Sequence, residues 1–555
     1  MRVAVVGAGP GGLFLAALLA DADPSVSVTV FERNRAEDAF GFGVVFADRA
    51  LAGIHRADPA TGAALDSCRT HWDEIEVRLG GERLRCGGNG MSAVVRHTLL
   101  RVLQDRARAA GAELRFGTEV GLADLVGADL VVGADGAGSR IRAELEARPG
   151  SDLGSTVHIA TARYIWLGAD HPFDGLTFVH ERNSDGAFAA HAYPVGQGLS
   201  TFIVETDEDS WRRGGLDGFD PATPPGSSDL DSRRYLERLF AGHIGGRALL
   251  ANNSRWARFR TRRTRRWYSL APRPVALLGD AVHTAHFSVG SGTTMAMQDA
   301  VALAAALREH PDDLGRALAR YEAEARPTVQ RIQNAAGPSL AWWERFGCYQ
   351  EVFEPWQFTY HFLTRSIDDA TLARRAPEFV DATHLAWRDR HGAEPLLTPL
   401  VTPVLSTARR TVPVVVEGAQ PSGVDVLDPA GRPLRLALRS PGDPAVAQVY
   451  GLRVAAPADE TGVDAAVIAL ERAVADAGPA RPALVVVFGG GPAARALLAE
   501  HARTRCAVPA LSVEPDGATA RATTLVLSGR TDLVGTPRNP GSITDDCHTS
   551  DIGVR

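Results

Sequence analysis

The chemically suggestive residues of this chain are glycines and single acids at the ends of apolar runs, and they occur three times. The first set is Val3-Ala4-Val5-Val6-Gly7-Ala8-Gly9-Pro10-Gly11-Gly12, with Glu32 closing a second apolar run over 26–31. The second is Val131-Val132-Gly133-Ala134-Asp135-Gly136, followed by Ser139 and Arg142. The third is Leu277-Leu278-Gly279-Asp280-Ala281, running on to Gly290-Ser291-Gly292-Thr293. Glycines between a buried strand and a helix permit a tight turn, close approach of backbone to a pyrophosphate, and close packing of helix on strand. An acid about twenty residues further on is placed to accept hydrogen bonds from ribose hydroxyls. The chemistry these residues suit is the binding of a dinucleotide by backbone N–H groups and a few carboxylates.

The elements that must position them follow from the pattern. An apolar strand leads into Gly7, and Leu13, Leu15, Leu18 and Leu19 read as the helix after it. The start of that helix offers free N–H groups and partial positive charge to phosphates. This first fingerprint fits FAD and NAD equally. The other two sets place Asp135 and Asp280 at the carboxyl ends of strands, the edge where open α/β sheets bind ligands. Each Asp there can accept from ribityl or ribose hydroxyls. Gly290 and Gly292 precede a helical run over 293–307, whose N–H groups suit the electron-rich pyrimidine end of a reduced flavin. Order and spacing together point to FAD. Cofactor contacts are expected at Gly7, Gly9, Gly12, Glu32, Arg33, Val44, Arg96, Asp135, Asp280, Gly290, Gly292 and Thr293.

Over residues 1–385 these motifs resemble the class A aromatic hydroxylases, single-component flavoproteins of the para-hydroxybenzoate hydroxylase type. The matching positions are Gly7, Gly9, Gly12, Glu32, Asp135, Gly136, Ser139, Arg142, Gly279, Asp280, Ala281, His283, Gly290, Gly292 and Asp299, and Arg96 matches the helix arginine that such proteins place near the flavin. Phe287 stands where that family usually has proline. The segments Phe40-Gly41-Phe42-Gly43-Val44-Val45-Phe46, His191-Ala192-Tyr193-Pro194, 201–208 and 283–288 are similar to a subgroup containing salicyloyl-CoA 5-hydroxylases and the monooxygenase half of anthraniloyl-CoA monooxygenase/reductases. In that subgroup a Lys commonly takes the place of Thr294 and a Glu that of Gln298. The resemblance implies reduction of FAD by NAD(P)H without a separate nicotinamide domain. It also implies addition of O2 at the flavin C4a position and oxygen transfer from the hydroperoxide to ring position 5 of an aromatic acyl thioester. The alternatives are a free aromatic, polyketide or carrier-protein-bound substrate, and a flavin-binding module without hydroxylase activity. The chemistry is borne by the flavin, so no catalytic side chain is named and no metal is expected. His283 reads as a structural hydrogen-bond partner.

The fold class expected is α/β: a Rossmann-like FAD-binding domain with an inserted antiparallel-sheet substrate domain, a helical segment and a small α/β C-terminal domain. The FAD-binding domain takes residues 1–154, the substrate sheet 155–270, and the rest of the FAD domain with its helices 271–387. A Pro-rich linker follows at 388–404. Residues 405–535 form the C-terminal domain, which faintly resembles the end of an old yellow enzyme barrel and reads as a remnant without a second flavin. There Gly489-Gly490-Gly491 reads as a plain turn, and 536–555 as a disordered polar tail.

Two features bear on substrate. His191, Tyr193 and Phe287 stand in segments that can wall a ring pocket. Residues 255–267 hold seven arginines in thirteen positions, and Arg262, Arg263, Arg265 and Arg266 among them suit the phosphates of coenzyme A, with nearby aromatics able to stack on adenine. The bland reading of the run is a solvated basic face.

Composition limits the remaining possibilities. A net charge of −7 over 555 residues argues against a nucleic-acid binder. No apolar run reaches membrane-spanning length. The five cysteines are scattered without metal spacing and suit a reducing compartment. No signal peptide is evident. A cytoplasmic enzyme, in the form of a homodimer, is the expectation.

Overall fold

The computed structural model describes residues 1–539, apart from 221, 224, 225, 444–448, 479, 516 and 517. The chain divides into two compact units, Met1–Glu351 and Val352–Arg555.

The first unit is built on a six-stranded sheet. Its order is Tyr268–Ser269, Val275–Leu277, Leu130–Gly133, Arg2–Val6, Ser27–Phe31 and Glu113–Arg115. All neighbours are parallel except the first pair. Strands covered on both faces read as continuous apolar runs, and Val3, Val5, Val131, Val132, Val275 and Leu277 are all buried. The three glycine sets therefore emerge side by side at one edge of adjacent strands. Helices Pro10–Ala22 and Gly292–Glu309 pack against each other over this edge. Gly11 is needed there, since a Cβ on it would stand 2.5 Å from Leu278 Cδ2 and 2.9 Å from the Ala296 carbonyl oxygen.

An eight-stranded sheet forms the second layer of this unit. The long strand Ser155–Ala169 pairs antiparallel with Leu199–Thr206, and Gly186–Gly196 and Leu176–Asn183 continue the sheet. Two strands at its far side, Ile75–Leu79 and Glu82–Cys86, come from the segment read above as part of the FAD domain. Their charged residues alternate with apolar ones, as a one-face-buried edge requires. Side-chain alternation gives the sheet two different faces. Phe188, Ala190, Ala192, Phe202 and Val204 turn one way and form a core with Leu236 and Phe240. Phe178, His180, His191, Tyr193 and Glu205 occupy the alternate positions and pack elsewhere. A small antiparallel sheet of Gly43–Ala47, Met91–Val95 and Thr70–Trp72 lies against Tyr193 and Val195.

The second unit corrects three of the expected boundaries. Helices Asp369–Arg375 and Pro377–His391 belong to it, so the FAD-domain side ends near residue 351 and not 387. Residues 388–404 are no open linker. The helix runs on to His391, a single turn of helix follows at Pro395–Leu397, and Leu400–Val401 pairs with Ser406–Thr407. Pro395 sits at the start of that turn, where the missing N–H costs nothing. The supposed tail begins too early, because Leu533–Arg538 is a strand between Thr411–Glu417 and Ala510–Val513. The rest of it, 540–555, lies outside the described residues.

Seven strands of this unit close into a ring, with two short strands appended. Closure comes from Gln420–Leu427, which pairs with both Thr411–Glu417 and Pro433–Arg439. From Gly451–Ala455 onward the chain alternates strand and helix three times, ending in Leu533–Arg538. Leu484 and Val486 join one cluster with Val414, Val424 and Leu511, while Val485 and Val487 meet Leu470, Leu498 and Ala499 of the helices. Gly489 and Gly490 have positive φ, and the Arg495 guanidinium donates to both their carbonyl oxygens at 2.9 and 3.0 Å. The glycine cluster is thus a braced turn.

His180 yields a prediction. It is buried against Trp343, with ring centroids 5.9 Å apart, and burial pulls its pKa down from its ordinary value of 6.5 to about 3. The native state therefore keeps this imidazole neutral while the unfolded chain takes a proton near 6.5. Proton uptake by the unfolded state lowers stability as pH falls from 6.5 towards 3, at a limiting slope of about 1.4 kcal/mol per pH unit, with no further change below that window. Urea unfolding of wild type and His180→Phe at several pH values in this window measures it, and the variant should lose about one proton's worth of slope.

Candidate active site

The first glycine set forms the expected turn. Gly7 has φ +108° and donates its N–H to the Phe31 carbonyl at 2.8 Å. A Cβ on Gly12 would stand 2.2 Å from the Gly7 carbonyl oxygen, whereas one on Gly9 would meet nothing within 4 Å. Gly7 and Gly12 close the turn, and Gly9 leaves open the side from which a ligand approaches. Gly9 caps helix Pro10–Ala22 with no side-chain hydrogen bond and no acid in its first turn. The free N–H groups of that helix start are offered to an anion. Glu32 accepts the Ala8 N–H at 2.9 Å and the Asn34 N–H at 2.9 Å, which fixes its carboxylate at the end of the second strand. Arg33 is exposed, and the Val44 side chain is buried in the core, so neither side chain shows a built contact for a cofactor.

Asp135 departs from expectation. Its carboxylate accepts from the Ser139 hydroxyl at 2.5 Å and from the Arg140 and Ile141 N–H groups at 2.7 and 3.2 Å. The free N–H groups of helix Arg140–Glu146 have taken the acceptor that the sequence reading assigned to a cofactor hydroxyl. Three donors of the chain itself thus already engage that carboxylate. Arg142, absent from the expected cofactor contacts, proves central. Its buried guanidinium donates to Ala281 O at 2.7 Å and to Ala137 O at 3.1 Å, tying the second glycine set to the third.

Asp299 holds the third set from the other side. Its buried carboxylate accepts the Gly279 N–H at 2.9 Å and lies 2.7 Å from His283 Nε2. Between these anchors Asp280 points outward, with no hydrogen bond among the described residues. Solvent reaches it, yet protein closes round the rest of it, and this loss of water raises its carboxyl pKa against the lowering pull of His283 and Arg96. Arg96 has no ion pair among the described residues either, and burial pulls its pKa down while Asp280 acts the other way. Helix Gly292–Glu309, entered through Gly290 at φ +60°, also starts without a side-chain cap or an acid, with Thr293 in its first turn. An unbonded acid, an unbonded guanidinium and two uncapped helix starts at one sheet edge fit a ligand carrying hydroxyls, a pyrophosphate and a polar ring edge. FAD has all three.

The next segment of this loop builds an aromatic wall. Phe287 has ring neighbours Tyr164 at 4.9 Å, Trp166 at 5.9 Å, His191 at 5.5 Å and Phe259 at 6.0 Å. Behind it His191 Nε2 lies 2.8 Å from Glu205 Oε1, and His286 Nε2 lies 3.7 Å from Glu205 Oε2. His286 Nδ1 contacts Ser288 Oγ at 2.8 Å, which contacts Ser339 Oγ at 2.8 Å. Burial pushes the Tyr164 phenol up to about 12, with Glu205 and Asp280 adding to it, so this hydroxyl spans the electrostatic reach of wall and loop alike. Of the expected substrate residues, His191 and Phe287 stand in this wall. Tyr193 does not: it is stacked on Trp72 and donates to Gly43 O at 3.1 Å, a packing role between sheets. Glu205 and His286 were missed. The signal for Glu205 was an acid alternating with Phe202 and Val204 in an apolar strand. Asn252 was missed too; its amide donates to Ala39 O and Gly41 O at 3.0 and 3.1 Å and holds the glycine loop before Gly43.

The arginine run does not form one clamp. It lies on strand Ala257–Thr264 and the turn after it, and strand alternation sends its members to different faces. Arg262 is half-buried near Arg142 and Glu146. Arg266 pairs with Asp152 at 2.8 Å. Arg263 and Arg265 line a cavity together with Arg326. Trp267 is buried and donates to Thr264 O, so it is unavailable to stack on an adenine.

A sequence family described as an FAD binding domain matches residues 1–336. Salicyloyl-CoA 5-hydroxylase of a Streptomyces species is 51% identical over 541 residues, covering 96% of this chain and 99% of that protein. The 3-hydroxy-4-methyl-anthranilyl-[aryl-carrier protein] 5-monooxygenase of Streptosporangium sibiricum is 37% identical over 346 residues, covering 62% of this chain and 90% of that protein. Protodeoxyviolaceinate monooxygenase of Chromobacterium violaceum is 32% identical over 358 residues, with coverage of 62% and 89%.

Two substitutions test the cofactor loops. Gly12→Ala forces its Cβ against the Gly7 carbonyl and should abolish FAD retention, read as loss of visible flavin absorbance after desalting. Arg142→Met keeps the bulk but leaves two buried carbonyls without a charged donor. It should weaken FAD binding by roughly 1.5–3 kcal/mol, ten-fold or more in Kd by fluorescence titration.

Proposed function

The chain belongs to the FAD-binding-domain family of flavin-dependent aromatic monooxygenases, and from that premise we propose that it hydroxylates an aromatic acyl-CoA thioester, salicyloyl-CoA or a close ortho-substituted relative, at ring position 5. The observation that carries the proposal is the 51% identity to the Streptomyces salicyloyl-CoA 5-hydroxylase along essentially all of both chains. When bound, FAD supplies the acceptance of a hydride from NAD(P)H and the activation of O2. The protein's own residues bind, orient and shield. Gly7–Gly12 and the two uncapped helix starts hold the cofactor's phosphates and polar ring edge, while Asp280 and Glu32 accept from its hydroxyls. Phe287, Tyr164, Trp166 and Phe259 shield the reacting region from water.

Position 5 follows from ring chemistry. A hydroxyl or amino group ortho to the thioester donates electrons to the carbon para to itself, which is position 5. A carboxylate accepting a hydrogen bond from that group increases the donation. Glu205, flanked by His191 and His286 inside the aromatic wall, is the group we assign to this: it orients the ortho substituent and takes up its proton. An aryl group on a carrier protein presents the same ring and the same thioester. The Streptosporangium relative favours that source as the second reading.

No helix among the described residues is long and apolar enough to cross a membrane. Cys68 and Cys506 are free thiols, which supports placing the enzyme in the cytoplasm. We read the second unit as a barrel remnant that holds no flavin of its own, supported by its three strand–helix repeats and by the Arg495 side chain filling its glycine turn.

The purified protein should carry one FAD per chain and oxidise NAD(P)H faster with salicyloyl-CoA than with salicylate, giving the 5-hydroxylated thioester by mass spectrometry. Glu205→Gln should lower kcat about 10²-fold or more, the low end for a positioned acid or base, with FAD content unchanged. Equal turnover of free acid and thioester would sink the thioester reading, and wild-type kcat in Glu205→Gln would remove that residue from the chemistry.

A further inference from the structure

A separate cavity of about 260 Å³ lies beside the FAD loop, and no step above uses it. Its charged lining is Arg263, Arg265 and Arg326, His283 stands at the buried end, and no carboxylate is among its lining residues. Arg326 pairs with Glu322 at 2.9 Å and stacks over Trp267. Arg263 reaches Gln333 only at 3.4 Å, Arg265 donates to the Asp152 carbonyl at 3.1 Å, and neither has a carboxylate partner. Three guanidiniums around one hollow repel one another unless an anion joins them. His283 supplies an independent sign of a ligand. It is buried, its Nε2 is spent on Asp299, and its Nδ1 has no hydrogen-bond partner among the described residues. A buried polar atom left unsatisfied is costly, and its usual remedy is a water, an ion or a ligand.

We infer that this cavity binds a phosphomonoester. Guanidiniums present planar forks of donors that match phosphate oxygens. Two co-substrates of the reaction carry such a group: the 3′-phosphate of a coenzyme A thioester and the 2′-phosphate of NADPH. The first source rests on the thioester reading above, and the second does not. The site also reports to the flavin. The imidazole that would meet the phosphate is the one bonded to Asp299, which holds the Gly279 N–H next to Asp280. Occupancy should therefore perturb the spectrum of bound FAD.

The test uses the full FAD-loaded chain, titrated by calorimetry and by flavin difference absorbance. Three arms are run: CoA against 3′-dephospho-CoA, NADP⁺ against NAD⁺, and inorganic phosphate alone. We expect one of the two pairs to favour its phosphorylated member by about ten-fold, the size of one good charge-assisted contact. The Arg263→Gln/Arg265→Gln double variant should abolish that preference while keeping its FAD, and Arg266→Gln, on the same run but outside the cavity, should retain it. The favoured pair identifies the source, and saturable binding of inorganic phosphate alone, lost in the double variant, also supports the site. The inference is overturned if no arm shows saturable phosphate-dependent binding, or if that binding survives in the double variant. Product analysis with salicyloyl-CoA tests the thioester reading separately. A failure there leaves the NADP⁺ and phosphate arms standing, and a flat result in all three arms leaves the hydroxylation untouched.

Discussion

The grip of two buried charges on the loop at Gly279–Ala281 is the constraint on which the rest of the site depends. Arg142 reaches in from the helix after the second glycine set and donates to Ala281 O. Asp299 reaches in from helix Gly292–Glu309 and accepts the Gly279 N–H. One takes a carbonyl and the other an N–H, so the backbone between them cannot rotate without breaking a charge-assisted hydrogen bond. Such bonds are roughly twice as strong as neutral ones, and a buried charge stripped of its partner costs several kcal/mol. The loop is thereby fixed with Asp280 facing the sheet edge. The chain immediately beyond it carries His283, His286 and Phe287, so the same grip sets the register of the aromatic wall. It also sets one end of the basic cavity, because His283 is shared between Asp299 and that hollow.

Strand alternation does the remaining sorting. In the eight-stranded sheet it sends Phe188, Phe202 and Val204 into a dry core and leaves His191, Glu205 and Phe178 facing the helix that carries Trp343. A one-residue slip would exchange the two sets, placing Glu205 in the core and Phe202 at the substrate. The same alternation divides the arginines. Arg262 lies near Arg142 and Glu146 and Arg258 pairs with Glu208, while Arg263 and the following Arg265 open into the cavity. A run that is uniform in sequence becomes two surfaces with different chemistry.

What was legible in the sequence was whatever depends on short-range pattern. Gly7, Gly9, Gly12 and Glu32 stand in one strand–turn–helix–strand unit, and their roles follow from spacing alone. The inserted sheet was legible because its strands alternate over several residues. What escaped depends on partners distant in the chain. Asp135 looked like a ligand-binding acid, but the Ser139 hydroxyl and the N–H groups five and six residues on engage its carboxylate locally. Arg142 was legible as a motif position, but its role was not, because its partner at Ala281 is 139 positions away. The segment at 75–86 joined the second sheet across a break that no local signal marks. Ring closure in the second unit rests on Gln420–Leu427 pairing on both sides, a fact of three dimensions that leaves only weak apolar alternation in the sequence.

Buried charge is compensated almost everywhere in this chain. Arg142 has two carbonyls, Asp299 an amide and an imidazole, and Glu514 in the second unit has both Arg495 and Arg521, which together overcome its burial and hold its carboxyl below the usual range. The exceptions cluster. Asp280 and Arg96 face one sheet edge within electrostatic reach of each other yet without a bond, and burial shifts each towards its neutral form. Burial raises the Asp280 carboxyl and lowers the Arg96 guanidinium, so folding leaves both less well solvated although solvent still reaches Asp280. The cost is borne by the fold, since the anchoring pairs behind the loop leave it no way to relax. A ligand that supplies hydroxyls to the one and acceptors to the other recovers that energy on binding, in the manner of preorganisation. A site built in this way is preorganised for a ligand that carries both kinds of group.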